Sequence, residues 1–287
     1  MRTLDTLSAG AWSDVIGLFT DIDDTLTTNG AITADALQAL ADLKAAGLVV
    51  VAVTGRPVGW SEPFVHTWPL DAIVAENGAV ALCKTALPGS RVNQDITNQT
   101  EHQRAPRIRN TLSKIYQQDE KVRKQNHARL QAVAARVLRE VPGAALAQDS
   151  AGRETDIAID HSEFHHLDTA QINQVVAIMR AEGLNATVSS IHINGWIGDH
   201  DKWQGACWIA RELLGRDLPS QVGRWIYIGD STNDQVMFQH FPHSVGVANI
   251  RRFVDQLQYP PRWITQGERG AGFAEMAQRL LADRRAT

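Results

Sequence analysis

Asp21 and Asp23 stand two positions apart, directly after the apolar run Val15-Ile16-Gly17-Leu18-Phe19-Thr20. That run has the length and content of a buried strand. Along a strand, successive side chains point to opposite faces. At its carboxyl end, where the chain turns into a loop, both acids can reach one crevice, the place where open α/β sheets bind ligands. Two carboxylates so close do not both ionise cheaply unless a cation shares them or one keeps its proton. The pattern suits a magnesium-assisted reaction with one carboxylate as nucleophile and the other as proton donor.

Three further signals sit at element ends. Thr54-Gly55-Arg56 follows the apolar run 48–53, where a hydroxyl and the free N–H groups of a strand-to-helix turn suit a phosphate oxygen. Lys202 opens a helical stretch, so its ammonium and the helix dipole both favour an anion. Gly229-Asp230-Ser231-Thr232-Asn233-Asp234 follows the apolar strand 225–228 and places two more carboxylates where a magnesium shell can be completed. Each signal alone reads as ordinary turn or surface chemistry. Their co-occurrence in this order, each at an element end, is what points to a site.

The elements that position them alternate. The first strand leads to the turn Thr27-Thr28-Asn29-Gly30, then a helix capped by Thr33, with Leu37, Leu40 and Leu43 on one face and Gly47 at its end. Strand 48–53, a helix opened by Pro57 and strand 71–75 follow, and Glu76-Asn77-Gly78-Ala79 turns into a short hairpin. This rhythm predicts a parallel sheet with right-handed crossovers. From residue 85 the character changes. The pattern there predicts a long helix over 106–140 broken near 117–119, strands at 144–147 and 155–159, a helix over 168–182 and strands near 187 and at 191–196. Residues 85–199 are therefore expected to form an inserted α+β unit, with 1–84 and 200–287 together forming the core. The core resumes with helix 202–214, strand 225–228, helix 233–240, short strands at 244–247 and 262–265, and a last helix over 271–283.

Composition sets the outer bounds. The chain has 287 residues, 44% hydrophobic and 21% charged, as in ordinary soluble globular proteins. A net charge of -4 argues against a nucleic-acid binder. Cys83 and Cys207 lack metal-ligand spacing and fit a reducing compartment. With no apolar leader and no bilayer-length apolar run, a soluble cytoplasmic protein without a membrane partner is expected.

These motifs resemble those of the haloacid dehalogenase-like (HAD) phosphohydrolase superfamily. The resemblance is strongest to the branch, Cof-type and sucrose-phosphate phosphatase-like, whose α+β cap is inserted between the second and third motifs. It implies a Rossmann-like parallel-sheet core with that cap, and a magnesium-dependent (Mg2+) phosphoric monoester hydrolase acting through an aspartyl phosphate. By the same resemblance, Asp21 is the nucleophile and Asp23 the acid/base. Thr54, Gly55, Lys202 and Asn233 hold the phosphoryl group. Asp21, the carbonyl of Asp23, Asp230 and Asp234 form the metal set. Asp24 stands where the family commonly has Gly, a position favouring positive φ that Asp tolerates.

Other residues leave alternatives open. Ser190, His192 and Asn194 alternate along a cap strand and either face the crevice, as candidate specificity residues, or line the solvent side. His161, His165 and His166 read as an exposed loop rather than a metal site. Arg104, Arg107, Arg109 and Lys114 read as a solvated basic face. The tryptophans, Trp60, Trp68, Trp196, Trp203 and Trp208 among them, read as packing residues. Arg56 either approaches a phosphate or pairs with an acid. The expected substrate is a small phosphorylated metabolite, a sugar phosphate or sugar-acid phosphate. A phosphomutase on the same scaffold and a non-catalytic binding module are the competing readings.

Overall fold

The computed structural model describes residues 1–84 and 112–285. In chain order the first elements are β1 (Arg2–Thr3), β2 (Gly17–Thr20), the hairpin β3 (Thr27–Thr28) and β4 (Ala31–Ile32), α1 (Ala34–Ala45), β5 (Val49–Val53), α2 (Val58–Thr67), β6 (Ala72–Ala75), β7 (Val80–Cys83) and β8 (Ser113–Tyr116). Next come α3 (Glu120–Glu140), β9 (Ala145–Leu146), β10 (Asp156–Asp160), α4 (Thr169–Ala181), β11 (Asn185–Val188) and β12 (His192–Trp196). The chain closes with α5 (Lys202–Leu214), α6 (Leu218–Gln221), β13 (Trp225–Gly229), α7 (Gln235–His240), β14 (His243–Gly246), β15 (Trp263–Ile264) and α8 (Arg269–Arg285).

Among the described residues, nine strands make one sheet in the order β1-β15-β14-β13-β2-β5-β6-β7-β8. Pairing is parallel from β1 through β6 and antiparallel for β7 and β8. The central strands are apolar at every position because both faces are covered. Leu18, Val50, Ala52, Ile226 and Ile228 pack with Leu40, Leu43 and Phe273 on one side. Phe19, Val51, Val53, Trp225 and Tyr227 pack with Ala206, Ile209 and Phe241 on the other. Period-two alternation thus divides each strand between two cores.

The second sheet is antiparallel, ordered β11-β12-β10-β9. Its Ile157, Ile159 and Ile193 pack under α3 and α4 with Leu130, Val137, Val175 and Met179. The alternate residues, Asp156 and Asp160 of β10 and His192 and Asn194 of β12, form the opposite, polar face, and all four are buried. A buried polar sheet face requires partners, and those on the core are described below.

Two expectations need correction. Residues 113–116 are not helical: Ser113–Tyr116 pairs antiparallel with β7 as the edge of the large sheet, so the boundary expected at residue 85 does not separate the two sheets. Leu37 is 38% exposed, because the buried stripe of α1 runs through Ala36, Ala39, Leu40 and Leu43. Spacings of three alone drift off the face of a helix with 3.6 residues per turn.

Candidate active site

The ends of three adjacent parallel strands build the site. Asp21 follows β2, Asp230 follows β13 on one side, and Thr54 follows β5 on the other. The Asp21 N–H still donates to the Ile228 carbonyl (2.9 Å), and the Thr54 N–H to that of Val74 (2.8 Å). Beyond β2 the chain winds so that the Leu26 and Thr27 N–H groups return to the Ile22 carbonyl, with Asp24 at φ 55°. That is the positive φ expected at this position, and the Asp24 carboxylate pairs with Arg269 (2.9 Å).

Lys202 sits at the first turn of α5, 1% exposed, with its ammonium 2.6 Å from Asp21 and 2.7 Å from Asp234. Two local devices fix this helix start. Asp201 caps it by accepting from the Gln204 N–H (2.7 Å). The turn Glu76-Asn77-Gly78, all at positive φ, packs backbone to backbone on its first turn. A Cβ on Gly78 would stand 2.2 Å from the Asp201 carbonyl, and one on Gly205 2.5 Å from the Gly78 Cα.

Asp234 has no free lone pair to spare for a ligand. One oxygen accepts from Lys202 and the Tyr227 hydroxyl (2.5 Å), the other from the Asp230 and Ser231 N–H groups (2.9 and 3.1 Å). It therefore shapes the turn that carries Asp230. Asp230 accepts from Asn249 (3.1 Å) at Oδ2, while its Oδ1 is buried without a hydrogen-bond partner. One oxygen each of Asp21, Asp230 and Asp234 falls within 4.8 Å of the others, the arrangement of a hard-cation site.

Three buried carboxylates against one ammonium leave the site short of positive charge. Burial pushes Asp21 up to about 7, Lys202 opposing and Asp234 and Asp23 adding to it. Asp230 is raised well above its ordinary range by burial, with Asp21 and Asp234 next. Burial alone would lower Lys202, yet Asp21 and Asp234 hold it above its usual value.

Thr54 and Gly55 lie beside this cluster. The Thr54 hydroxyl accepts from the Arg56 N–H (3.0 Å). A Cβ on Gly55 would meet Asn194 at 3.2 Å and Asn77 at 3.3 Å, so the cap and the Asn77 turn both crowd this position. Asn233 is buried and accepts from the Ser231 hydroxyl (3.0 Å). Of the expected metal set, Asp23 turns its carboxylate away, into a fork with Arg56 (2.9 and 3.0 Å).

Arg56 thus settles as an ion-pair residue. It also reaches Asp149 (3.1 Å) and Glu163 (2.7 Å), and Glu163 in turn meets His192 Nε2 (2.9 Å). Ser190, His192 and Asn194 face the crevice: with Asp21, Asp23 and Gly55 they line a space of about 10 Å³. Asn194 donates to the Gly55 carbonyl (3.2 Å), as does Arg153 (2.9 Å).

Other expected candidates separate. His161 is buried rather than exposed, bonded to the Ser189 carbonyl (3.0 Å) and the Ser162 hydroxyl (2.7 Å). Among the described residues the three histidines form no metal-binding group. Lys114 is engaged by Glu62 (2.8 Å) and Glu154 (2.9 Å), while Arg104, Arg107 and Arg109 lie outside the described residues. Trp60 packs on Phe64 and Trp68, and Trp203 stacks on His240.

Sequence reasoning missed Glu76 and Glu163. Glu76 is fully buried at φ 50° and accepts from the N–H groups of Val58, Glu154 and Thr155 and from the Thr155 hydroxyl. It pins the cap to the core. Glu163 is set by Asp160, whose carboxylate accepts the N–H groups of Ser162, Glu163, Phe164 and His165. An acid followed by a short polar turn was the available signal for this loop.

Comparison with known proteins agrees with this architecture. Residues 18–145 match the family model described as haloacid dehalogenase-like hydrolase. No curated protein matches the chain. A Thermoplasma acidophilum structure is similar at a TM-score of 0.64 and 15% identity, covering 93% of this chain and 99% of its own. The sucrose-phosphatase of Synechocystis, solved with sucrose and phosphate, superposes at 0.60 and 15%, covering 92% and 97%. A haloacid dehalogenase-like hydrolase of Bacteroides thetaiotaomicron gives 0.60 and 16%, covering 93% and 99%. The resemblance to haloacid dehalogenase-like hydrolases drawn from the motifs is borne out, as is the Rossmann-like core with an inserted α+β cap.

Proposed function

We propose that this protein is a magnesium-dependent phosphatase that hydrolyses a small phosphorylated metabolite through an aspartyl phosphate on Asp21. The observation that carries the reading is the convergence of Asp21 and Asp230, from neighbouring strand ends, on one buried point beside the Lys202 ammonium. The donor set fits the cation: hard carboxylate oxygens, an orphaned Asp230 Oδ1, and excess negative charge for a divalent ion to neutralise. Asp21 and Asp230 would hold it with the Asp23 carbonyl, and Asp234 would support Asp230. When bound, magnesium would neutralise charge on the transferring phosphoryl oxygens.

The chain's own residues supply the rest. Asp21 attacks phosphorus, and the phosphorus–oxygen bond to the leaving group breaks as the new one forms. Asp23 delivers a proton to the departing oxygen and later takes one from the water that hydrolyses the aspartyl phosphate. Lys202, the Thr54 hydroxyl, the Gly55 N–H and Asn233 hold the phosphoryl oxygens. Ser190, His192 and Asn194 of the cap exclude water and meet the leaving group.

We take the cap as the inserted unit built on the second sheet, and the protein as one that works in the cytoplasm. Among the described residues, no helix is long and apolar enough to cross a membrane. With magnesium, the purified protein should release phosphate from a generic aryl phosphate. Asp21→Asn should abolish release with an unchanged circular dichroism spectrum; full activity in that variant would remove the proposal.

A further inference from the structure

Beside the phosphoryl pocket, and sharing Asp23, Arg56 and Ile191 with it, lies a cavity of about 560 Å³. Its walls come from the β3–β4 flap, from Ser162 to Phe164 of the cap, and from Arg269 at the start of α8. With phosphorus at Asp21, the departing oxygen faces Asp23, and the body of the leaving group falls into this cavity.

The charged residues lining it are Asp23, Asp24 and Glu163 against Arg56 and Arg269. Both arginines are already engaged. Arg56 is held by Asp23 and Glu163 and, from outside the cavity, by Asp149. Arg269 Nε lies 2.9 Å from Asp24, close enough for an ion pair, and its Nη1 donates to Asn29 (3.3 Å). No lining cation is left to meet a second anion, and the cavity carries one more carboxylate than it has arginines. A carboxylate or second phosphate on the leaving group would face that uncompensated charge or have to strip an arginine from its partner. Hydroxyls suit the walls better: Ser162, Asn29 and the carboxylates accept or donate hydrogen bonds, and Phe164, 60% exposed, offers an apolar face.

The second cavity that meets the motif residues touches Lys202 and Asn233 but not Asp23. It contains Arg180, an exposed arginine with no carboxylate partner among the described residues. An anionic leaving group would need that arginine, and it lies on the side without the proton donor.

We infer that the leaving group is an uncharged polyol carrying a single phosphate ester, and that sugar-acid phosphates and bisphosphates are excluded by charge. This rests on the phosphatase reading and narrows it.

The test uses matched pairs, glucose 6-phosphate against 6-phosphogluconate and glycerol 3-phosphate against 3-phosphoglycerate, with an aryl phosphate as control and magnesium present. The neutral member of each pair should have a kcat/KM at least about tenfold higher, and raised salt should narrow the gap. Glu163→Gln, removing one cavity charge, should narrow it too. Aryl phosphate hydrolysis with the acid member equal or preferred overturns the inference and leaves the phosphatase reading standing. So does hydrolysis of the aryl phosphate but of neither pair, or a folded Glu163→Gln with the original ratio. If not even the aryl phosphate is hydrolysed, the phosphatase reading fails, and the inference with it.

Discussion

Lys202 Nζ lies 2.6 Å from Asp21 Oδ1, joining residues 181 positions apart at the seam between β2 and α5. The contact ties fold stability to the site, because removing one partner of a buried ion pair leaves the other charge unpaired. Lys202→Met should therefore cost about 3–5 kcal/mol, by urea unfolding without magnesium, and abolish phosphate release. Lys202→Arg should not restore activity, since a planar guanidinium cannot replace a point ammonium bridging two carboxylates. Wild-type stability in Lys202→Met would contradict this account.

Asp230 brings a third buried carboxylate to a site with one ammonium, so without metal it is a liability. Asp230→Asn should raise the melting temperature in a chelator. In the wild type, magnesium at a hundred times its dissociation constant should add about 2.7 kcal/mol of stability, readable as a thermal shift of several degrees. That shift should vanish in Asp230→Asn. An equal magnesium shift in both proteins would place the ion elsewhere.

Glu76 satisfies four donors from both sides of the cap–core junction. Glu76→Ala leaves buried N–H groups unpaired and should cost about 3 kcal/mol. Limited proteolysis should show the matching change, with cleavage appearing near Glu154 and Thr155 as the pin is lost. A variant as stable and as protease-resistant as the wild type would show that other contacts hold the junction.

His200 gives the fold an acid limit. It is buried against Trp196, and burial lowers its pKa from 6.5 to about 4. The unfolded chain thus binds a proton that the folded chain refuses. This contribution is complete above pH 6.5 and lost as pH falls through about 4, to a total of about 3 kcal/mol. His200→Phe, which keeps the ring packed, should flatten the decline in stability between those values. An unchanged pH profile for the variant would assign the acid sensitivity to other groups.

The core of the site was legible because its residues occur where strands stop. A buried parallel strand is an unbroken apolar run, so the first polar residues after it announce the crevice. The α5 lysine was legible for the matching reason at a helix start. β8 was not legible: Ser113-Lys114-Ile115-Tyr116 is a half-buried edge with no alternation, and only its pairing with β7 makes it a strand. Glu76 and Glu163 were hidden because their partners come from remote segments. Nothing adjacent to Glu76 signals that the N–H groups of residues 154 and 155 converge on it. The same held for Ser190, His192 and Asn194, whose alternation fixed a shared face while the direction of that face depended on how the second sheet meets the first.

A space of about 10 Å³ at Asp21 is scarcely room for one water molecule, far less for a phosphate ester. Arrival of a guest therefore requires the two sheets to separate, and with them the Arg56–Glu163, Arg56–Asp149 and Thr232–Val188 contacts that fasten them. Every round of catalysis must break and remake this clasp, so its strength sets an upper limit on turnover that no improvement in the chemistry at Asp21 can lift.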